Sequence, residues 1–240
     1  MKAAFVTGAS GDIGAQIVER LVKDGYFVVG QYNKDETSAK NLKEKFSGYF
    51  FPVKADLTEE KEISAALEYF YANFPRADVF IHCAGKDLYK LAQDTSEKEW
   101  DEVFAVNVKS AFMITKRFIP EMVKAKRGKI IFITSVWGNS GASMESAYAA
   151  SKSALKTYAL SLAKELGPSG ITVNCVCPGV IDTKMNKRFN KAEIKELVER
   201  TPLKRLGFSY EIAETCGFLY GESADFITGQ EIVVDGGFSL

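Results

Sequence analysis

Residues 3–14 read AAFVTGASGDIG, and the change of character halfway along this stretch decides the fold. The first five residues are an apolar run of strand type. They give way to glycines at 8, 11 and 14, after which Ile13, Ile17 and Leu21 recur at four-residue spacing and Gly25 is placed to end the helix. Strand, glycine turn and helix in immediate succession make the opening of a right-handed βαβ unit. The glycines let the backbone turn tightly and approach a pyrophosphate, while the start of the helix supplies unpaired N–H groups and a positive dipole end. Gly8, Ser10, Gly11, Asp12, Ile13 and Gly14 are therefore the first candidate cofactor-binding residues. The alternative for this loop is a plain turn, and its place after the first strand favours dinucleotide binding.

Further short apolar runs follow outward from this unit, at FVVGQY, YFFPVKA, DVFIH, KIIFIT, ITVNCVC and EIVV, with amphipathic stretches between them. Both alternating faces of these runs are apolar, as parallel strands covered by helices on both sides require. The expectation is an α/β chain with a seven-stranded, doubly wound parallel sheet. SEKE, from Ser96 to Glu99, is a capping box that opens a long helical stretch through Met122, which Pro120 is expected to kink or end. Residues 183–207 alternate polar and apolar irregularly and read as an inserted helical flap, whose Met185 and Phe189 are suited to covering a ligand.

At 240 residues and 46% apolar content, a single domain over 1–240 is expected. The 31 basic and 31 acidic residues cancel, which excludes a general field for nucleic acid or an anionic membrane. MKAAFVTG enters the first strand directly, without the features of a signal peptide, so a cytoplasmic protein is expected. Cys83, Cys175, Cys177 and Cys216 form no CxxC and the one histidine is His82, so no metal site is expected and the thiols are read as reduced, in or near strands.

The second strand ends GQYNKDE. An acidic residue at this tip would bond the adenosine ribose and repel a 2′-phosphate; here Asn33 and Lys34 precede Asp35, which favours NADPH over NADH. Asp12 argues the other way, and Lys34 is either a phosphate partner or a solvated loop charge. Asp56, followed by Leu57 in ADLT after the third strand, can accept from the adenine amino group, cap the next helix, or both.

Residues 143–153 read SMESAYAASKS, with Tyr148 and Lys152 one helical turn apart. Such a pair is commonplace on solvated helices. Here Ser135 stands 13 residues earlier, just past KIIFIT, where open α/β sheets place their ligands. Taken with the glycine loop, Asn107 in VNV, CPGVIDT and the closing ITGQEIVVDGGF, these motifs run through essentially the whole chain in the order of the short-chain dehydrogenase/reductase family, which this sequence resembles. The resemblance implies a Rossmann fold and an NAD(P)-dependent oxidoreductase. In it Tyr148 is the proton donor, Lys152 lowers the tyrosine pKa and holds the nicotinamide ribose, Ser135 fixes the substrate oxygen, and Asn107 seats a relay water. Val180 and Thr183 would lie near the carboxamide, and Ala84, Gly85, Pro178 and Gly179 along the cofactor. Two departures stand out. His82-Cys83-Ala84-Gly85 replaces the usual NNAG, and the family's middle glycine falls at Asp12, which implies a small rearrangement of the turn.

Within the family the sequence resembles 3-oxoacyl-acyl-carrier-protein reductases, which use NADPH and form homotetramers. The arginines with which that group docks its acidic carrier fall at Lys126 and Ser169. SVWGNSGASMESAY, through Trp137 and Glu145, resembles instead the elongation factor P 5-aminopentanone reductases, whose ketone sits on a lysine of a translation factor. Glu145 can receive a basic group or serve as a charge at a helix N-terminus. A non-catalytic dinucleotide sensor on the same fold is the reading from another class; it would lack Ser, Tyr or Lys, and all three are present. A serine hydrolase is disfavoured because no GxSxG elbow exists.

Overall fold

The computed structural model describes residues 2–240 and, of Lys187 and Arg188, the backbone alone. The apolar runs become β1 (Ala3–Thr7), β2 (Phe27–Tyr32), β3 (Phe50–Lys54), β4 (Val79–His82), β5 (Gly128–Ile133), β6 (Ile171–Pro178) and β7 (Glu231–Val234). They form one parallel sheet in the order β3-β2-β1-β4-β5-β6-β7. The chain works outward from β1 to β3, then crosses to β4 on the other side of β1. Order thus reverses between β1 and β4, where Thr7 pairs with His82, and a crevice opens at their carboxyl ends.

The helices are α1 (Asp12–Lys23), α2 (Glu36–Lys45), α3 (Glu60–Asn73), α4 (Glu97–Phe104), α5 (Ser110–Ala125), α6 (Trp137–Ser140), α7 (Ser146–Leu166), α8 (Lys191–Arg200) and α9 (Ser209–Tyr220). Because side chains alternate along a strand, β1 feeds two cores. Phe5 packs with Phe70 of α3, Phe118 of α5 and Leu155 of α7 on one face. Ala4 and Val6 pack with Ile17 and Leu21 of α1, Leu42 of α2 and Ile212 of α9 on the other. The Phe5 ring lies 5.8 Å from that of Phe70 and 5.5 Å from that of Phe118. Burying each such ring stabilises the fold by about 2–3 kcal/mol. Strand β7 departs from the two-sided pattern: it is one of the two sheet edges, and Val233 is exposed.

Gly25 ends α1 as expected. With φ +81 it donates to the Val22 carbonyl, and Tyr26 N–H donates to that of Leu21, a left-handed stop that leaves both carbonyls satisfied. Ser96 caps α4 in a reciprocal box with Glu99. Of the two effects expected of Pro120, it does not end the helix: α5 continues to Ala125. Proline forfeits one backbone bond, but Phe118 and Met122 on either side of it are buried in the core and hold the helix across the gap. Cys83, Cys175 and Cys177 lie in or beside strands. Cys216 does not; it is buried in α9, where a small apolar thiol suits packing onto the sheet.

Residues 183–207 leave and rejoin the sheet at one place. Gly207 N–H donates to the Val180 carbonyl and Asp182 N–H to that of Gly207. Between them lie a 3-10 turn, Lys184–Arg188, and α8, which Asn190 caps through the N–H groups of Ala192 and Glu193.

Candidate active site

The glycine turn is shaped by two steric demands. Gly8 has φ +65, and a Cβ there would fall 2.8 Å from the backbone of Ala84; a Cβ on Gly14 would fall 2.1 Å from the Gly8 carbonyl oxygen. The turn therefore presses against the chain leaving β4 and against the start of its own helix. Gly11 occupies the N-cap position of α1 with no side-chain cap, so the first-turn N–H groups are left for an anion. That cradle fits a dinucleotide pyrophosphate, with the middle glycine at 11.

Two polar side chains hold the turn. Gln31, buried in β2, accepts from Gly8 N–H at 2.9 Å and donates to the Ala55 carbonyl at 2.6 Å, tying the turn to the ends of β2 and β3. Sequence reasoning passed over it, although a lone glutamine in an apolar strand was its signal. Thr7 Oγ1 accepts from the N–H groups of Cys83 and Ala84, both at 3.1 Å, and lies 2.9 Å from His82 Nδ1. With both lone pairs used, the hydroxyl proton goes to Nδ1, which leaves the imidazole proton on Nε2. This arrangement fixes the backbone at Cys83 and Ala84, where the sequence departs from the NNAG it resembles.

Between α4 and α5 the helix widens into a π segment, Ala105–Lys109. Such a bulge re-aims side chains at functional sites. Asn107, fully buried there, accepts from Lys86 N–H at 2.7 Å and donates to the Lys86 carbonyl at 3.0 Å and to Ser151 Oγ at 2.8 Å. Its amide pins the loop that leaves β4, immediately behind Gly85. Ser135 follows β5, and its Oγ accepts from Trp137 N–H at 3.3 Å. Tyr148 and Lys152 come from α7, whose start is buried. The Lys152 ammonium donates to the Ile133 carbonyl at 2.8 Å and lies 5.7 Å from the centre of the Tyr148 ring. Burial pushes its pKa down to about 8, against an opposing pull from the Cys83, Cys175 and Cys177 thiols.

A cavity of about 340 Å³ joins these parts. Its wall takes Gly8 and Ser10 through Gly14 from the turn, Ala84 and Gly85, then Ser135, Trp137, Glu145, Tyr148 and Lys152, then Pro178, Gly179, Val180 and Thr183, with Met185 and Phe189 beyond. Asn33, Lys34, Asp56, Leu57 and Asn107 lie outside the wall. Lys34 is exposed. Asp56 accepts from Thr58 N–H and Oγ1 and from Asn33, so it caps the turn before α3, while Glu59 occupies the N-cap position of the helix itself. Asp35 and Lys184, neither of which the sequence singled out for the wall, do belong to it. Glu145 holds the N-cap position of α7 without a side-chain cap bond and, only 4% exposed, lines the cavity. From the 183–207 segment, the Phe189 ring meets that of Tyr89 edge-on at 6.4 Å.

A family model described as enoyl-(acyl carrier protein) reductase matches residues 8–239. The chain belongs to the short-chain dehydrogenase/reductase family. Short-chain dehydrogenase/reductases similar to it include an uncharacterized oxidoreductase, YmfI, of Bacillus subtilis, 37% identical over 99% of this chain and 98% of the relative. The 3-oxoacyl-[acyl-carrier-protein] reductase FabG of Buchnera aphidicola is 35% identical over 100% of this chain and 98% of its own length. FabG of Escherichia coli is 34% identical over the same shares. Fold, family and oxidoreductase class thus agree with the sequence reading. The chain is an NAD(P)-dependent short-chain oxidoreductase, and no described helix is long and apolar enough to cross a membrane.

Proposed function

We propose that the protein is an NADPH-dependent reductase of a ketone, most like reduction of a 3-oxoacyl group on acyl carrier protein. The observation that carries this reading is the convergence of Ser135, Tyr148 and Lys152 on the same cavity as the glycine turn. When bound, the reduced nicotinamide supplies a hydride to the carbonyl carbon. The chain's own residues handle the oxygen. Ser135 Oγ donates to it and fixes its position, and the Tyr148 hydroxyl gives it a proton. A tyrosine ordinarily titrates near pH 10, about three units too high for easy exchange at neutrality. The Lys152 ammonium beside its ring stabilises the phenolate and so lowers that barrier. Asn107 holds the Lys86 backbone and Ser151, and through them the spacing between the π segment and α7. Met185 and Phe189 exclude water as a covering flap over residues 183–207. A hydroxyl proton donor beside a serine serves a C=O bond, which favours the ketone over the enoyl substrate in the matched model's description.

The 3-oxoacyl assignment draws on the names of the FabG relatives and on Lys126, exposed at the end of α5 where an acidic carrier would dock. Burial of Glu145 in the same cavity favours a second substrate, an amine-bearing ketone such as the aminopentanone on elongation factor P. Following NADPH oxidation with acetoacetyl thioesters and with the modified factor in parallel separates the two. Oxidation with neither substrate would refute both. We further propose a cytoplasmic homotetramer, for which the exposed Phe112 of α5 and Leu160 of α7 offer apolar contact surface. Sedimentation at micromolar concentration tests it, and a monomer would contradict it.

A further inference from the structure

At the end of the cavity away from Tyr148, three charged side chains from three elements meet. Asp12 opens α1, Asp35 caps α2, and Lys184 begins the turn that follows β6. Lys184 is tied to both acids. Its backbone N–H donates to Asp12 Oδ2 at 2.6 Å, and its ammonium donates to Asp35 Oδ2 at 3.1 Å. The N–H and hydroxyl of Ser38, together with that ammonium, hold the Asp35 carboxyl down to about 2, so it stays ionised throughout the working pH range. The Lys184 side chain is 59% exposed, which leaves the ammonium able to swing at little cost.

A dinucleotide lying on the open N–H groups of α1 brings phosphates to this end, where two carboxylates would repel them. Among the described side chains of the wall, Lys184 is the cation available there. The other lysine, Lys152, is buried at the opposite end on the Ile133 carbonyl. We propose that Lys184 is a coenzyme-recognition residue, whose ammonium turns from Asp35 to a phosphate of the bound dinucleotide. The inference rests on dinucleotide binding at the glycine turn. The phosphate is either the bridging pyrophosphate or a 2′-phosphate on the adenosine ribose, and Asp35 is the partner that parks the ammonium between ligands.

The test is dissociation constants of the full chain for NADPH and NADH, measured by calorimetric titration for wild type, Lys184→Gln and Lys184→Arg. Lys184→Gln is expected to weaken NADPH about tenfold, as loss of one charge-assisted hydrogen bond does, and Lys184→Arg to stay within about threefold. The dependence of the NADPH constant on salt should be shallower in Lys184→Gln than in wild type. NADH binding left unchanged by Lys184→Gln assigns the 2′-phosphate; a parallel loss assigns the pyrophosphate, and either result supports the proposal. Constants within about twofold of wild type for both coenzymes, or tighter binding of both, would overturn it. Wild-type protein that binds neither coenzyme would defeat the dinucleotide reading itself, an outcome distinct from normal wild-type binding with a silent variant.

Discussion

Thr7 Oγ1 and His82 Nδ1 lie 2.9 Å apart across β1 and β4, at the point where the strand order reverses. The histidine is fully buried, and burial with the Lys152 charge nearby pushes its pKa down to about 3, against an opposing pull from the backbone at Asn107 and Val106. Its folded pKa is thus below the unfolded value near 6.5, so the native state binds fewer protons than the unfolded chain between these values. The stability this neutral histidine contributes is present above pH 6.5 and is lost as pH falls toward 3.

His82→Asn, which cannot titrate, should remove that dependence. Urea unfolding at steps from pH 7 to pH 4.5 should show wild type losing stability relative to the variant by up to about 1.4 kcal/mol per pH unit. A difference between the two proteins that is constant with pH would show that His82 does not titrate as its burial implies.

Tyr148→Phe removes the proposed proton donor and leaves the ring that packs in the cavity wall. Turnover should fall by about 10²–10⁴-fold, the usual worth of a positioned acid, with the NADPH dissociation constant nearly unchanged. Activity near that of wild type would exclude Tyr148 as the acid.

Lys152 carries a folded pKa of about 8, below its ordinary value of 10.5. Two consequences have opposite signs. In the proposed mechanism the charged form serves the reaction, so kcat/KM of the free enzyme should decline as pH rises through 8. Stability should instead gain from this residue between pH 8 and 10.5, because there the unfolded chain holds the proton that the native state has released. Lys152→Met should therefore abolish activity yet raise the unfolding free energy at pH 7 by on the order of 1–3 kcal/mol. Destabilisation by this substitution, measured in urea, would mean that the bond to the Ile133 carbonyl outweighs the cost of burying the charge.

Gln31→Leu keeps the bulk of the side chain but leaves Gly8 N–H and the Ala55 carbonyl without their partner. Each unsatisfied buried group costs about 1–3 kcal/mol, so a loss of about 2–6 kcal/mol in stability is expected for the two, with weaker NADPH binding because the glycine turn is released. Unaltered affinity in a destabilised variant would confine Gln31 to a packing role.

Glu145→Gln distinguishes the two substrate readings. The Michaelis constant for an amine-bearing ketone should rise about tenfold or more, with that for a 3-oxoacyl thioester hardly moved. The opposite pattern would leave fatty-acid-type reduction as the better account.

Much of this was legible in the one-dimensional pattern. Strand runs apolar on both faces, Gly25 after the periodic residues of α1, and the Ser96 box each carry a local physical signature, and each became the element it implied. Ser135, Tyr148 and Lys152 were legible because a strand end and one helical turn dictate their meeting. Whether Pro120 would kink or end its helix was left open by the sequence, because its effect depends on whether the surrounding helix is held by a core, and Phe118 and Met122 hold it. The far end of the cavity was decided by tertiary structure alone. Asp35 and Lys184 are 149 residues apart and Asp12 and Lys184 are 172 apart, yet they meet because the reversal of strand order brings β2, α1 and the chain after β6 around one crevice. Charge pairing across such separations leaves no periodicity in the sequence; it exists only once the sheet has set the distance between the three elements.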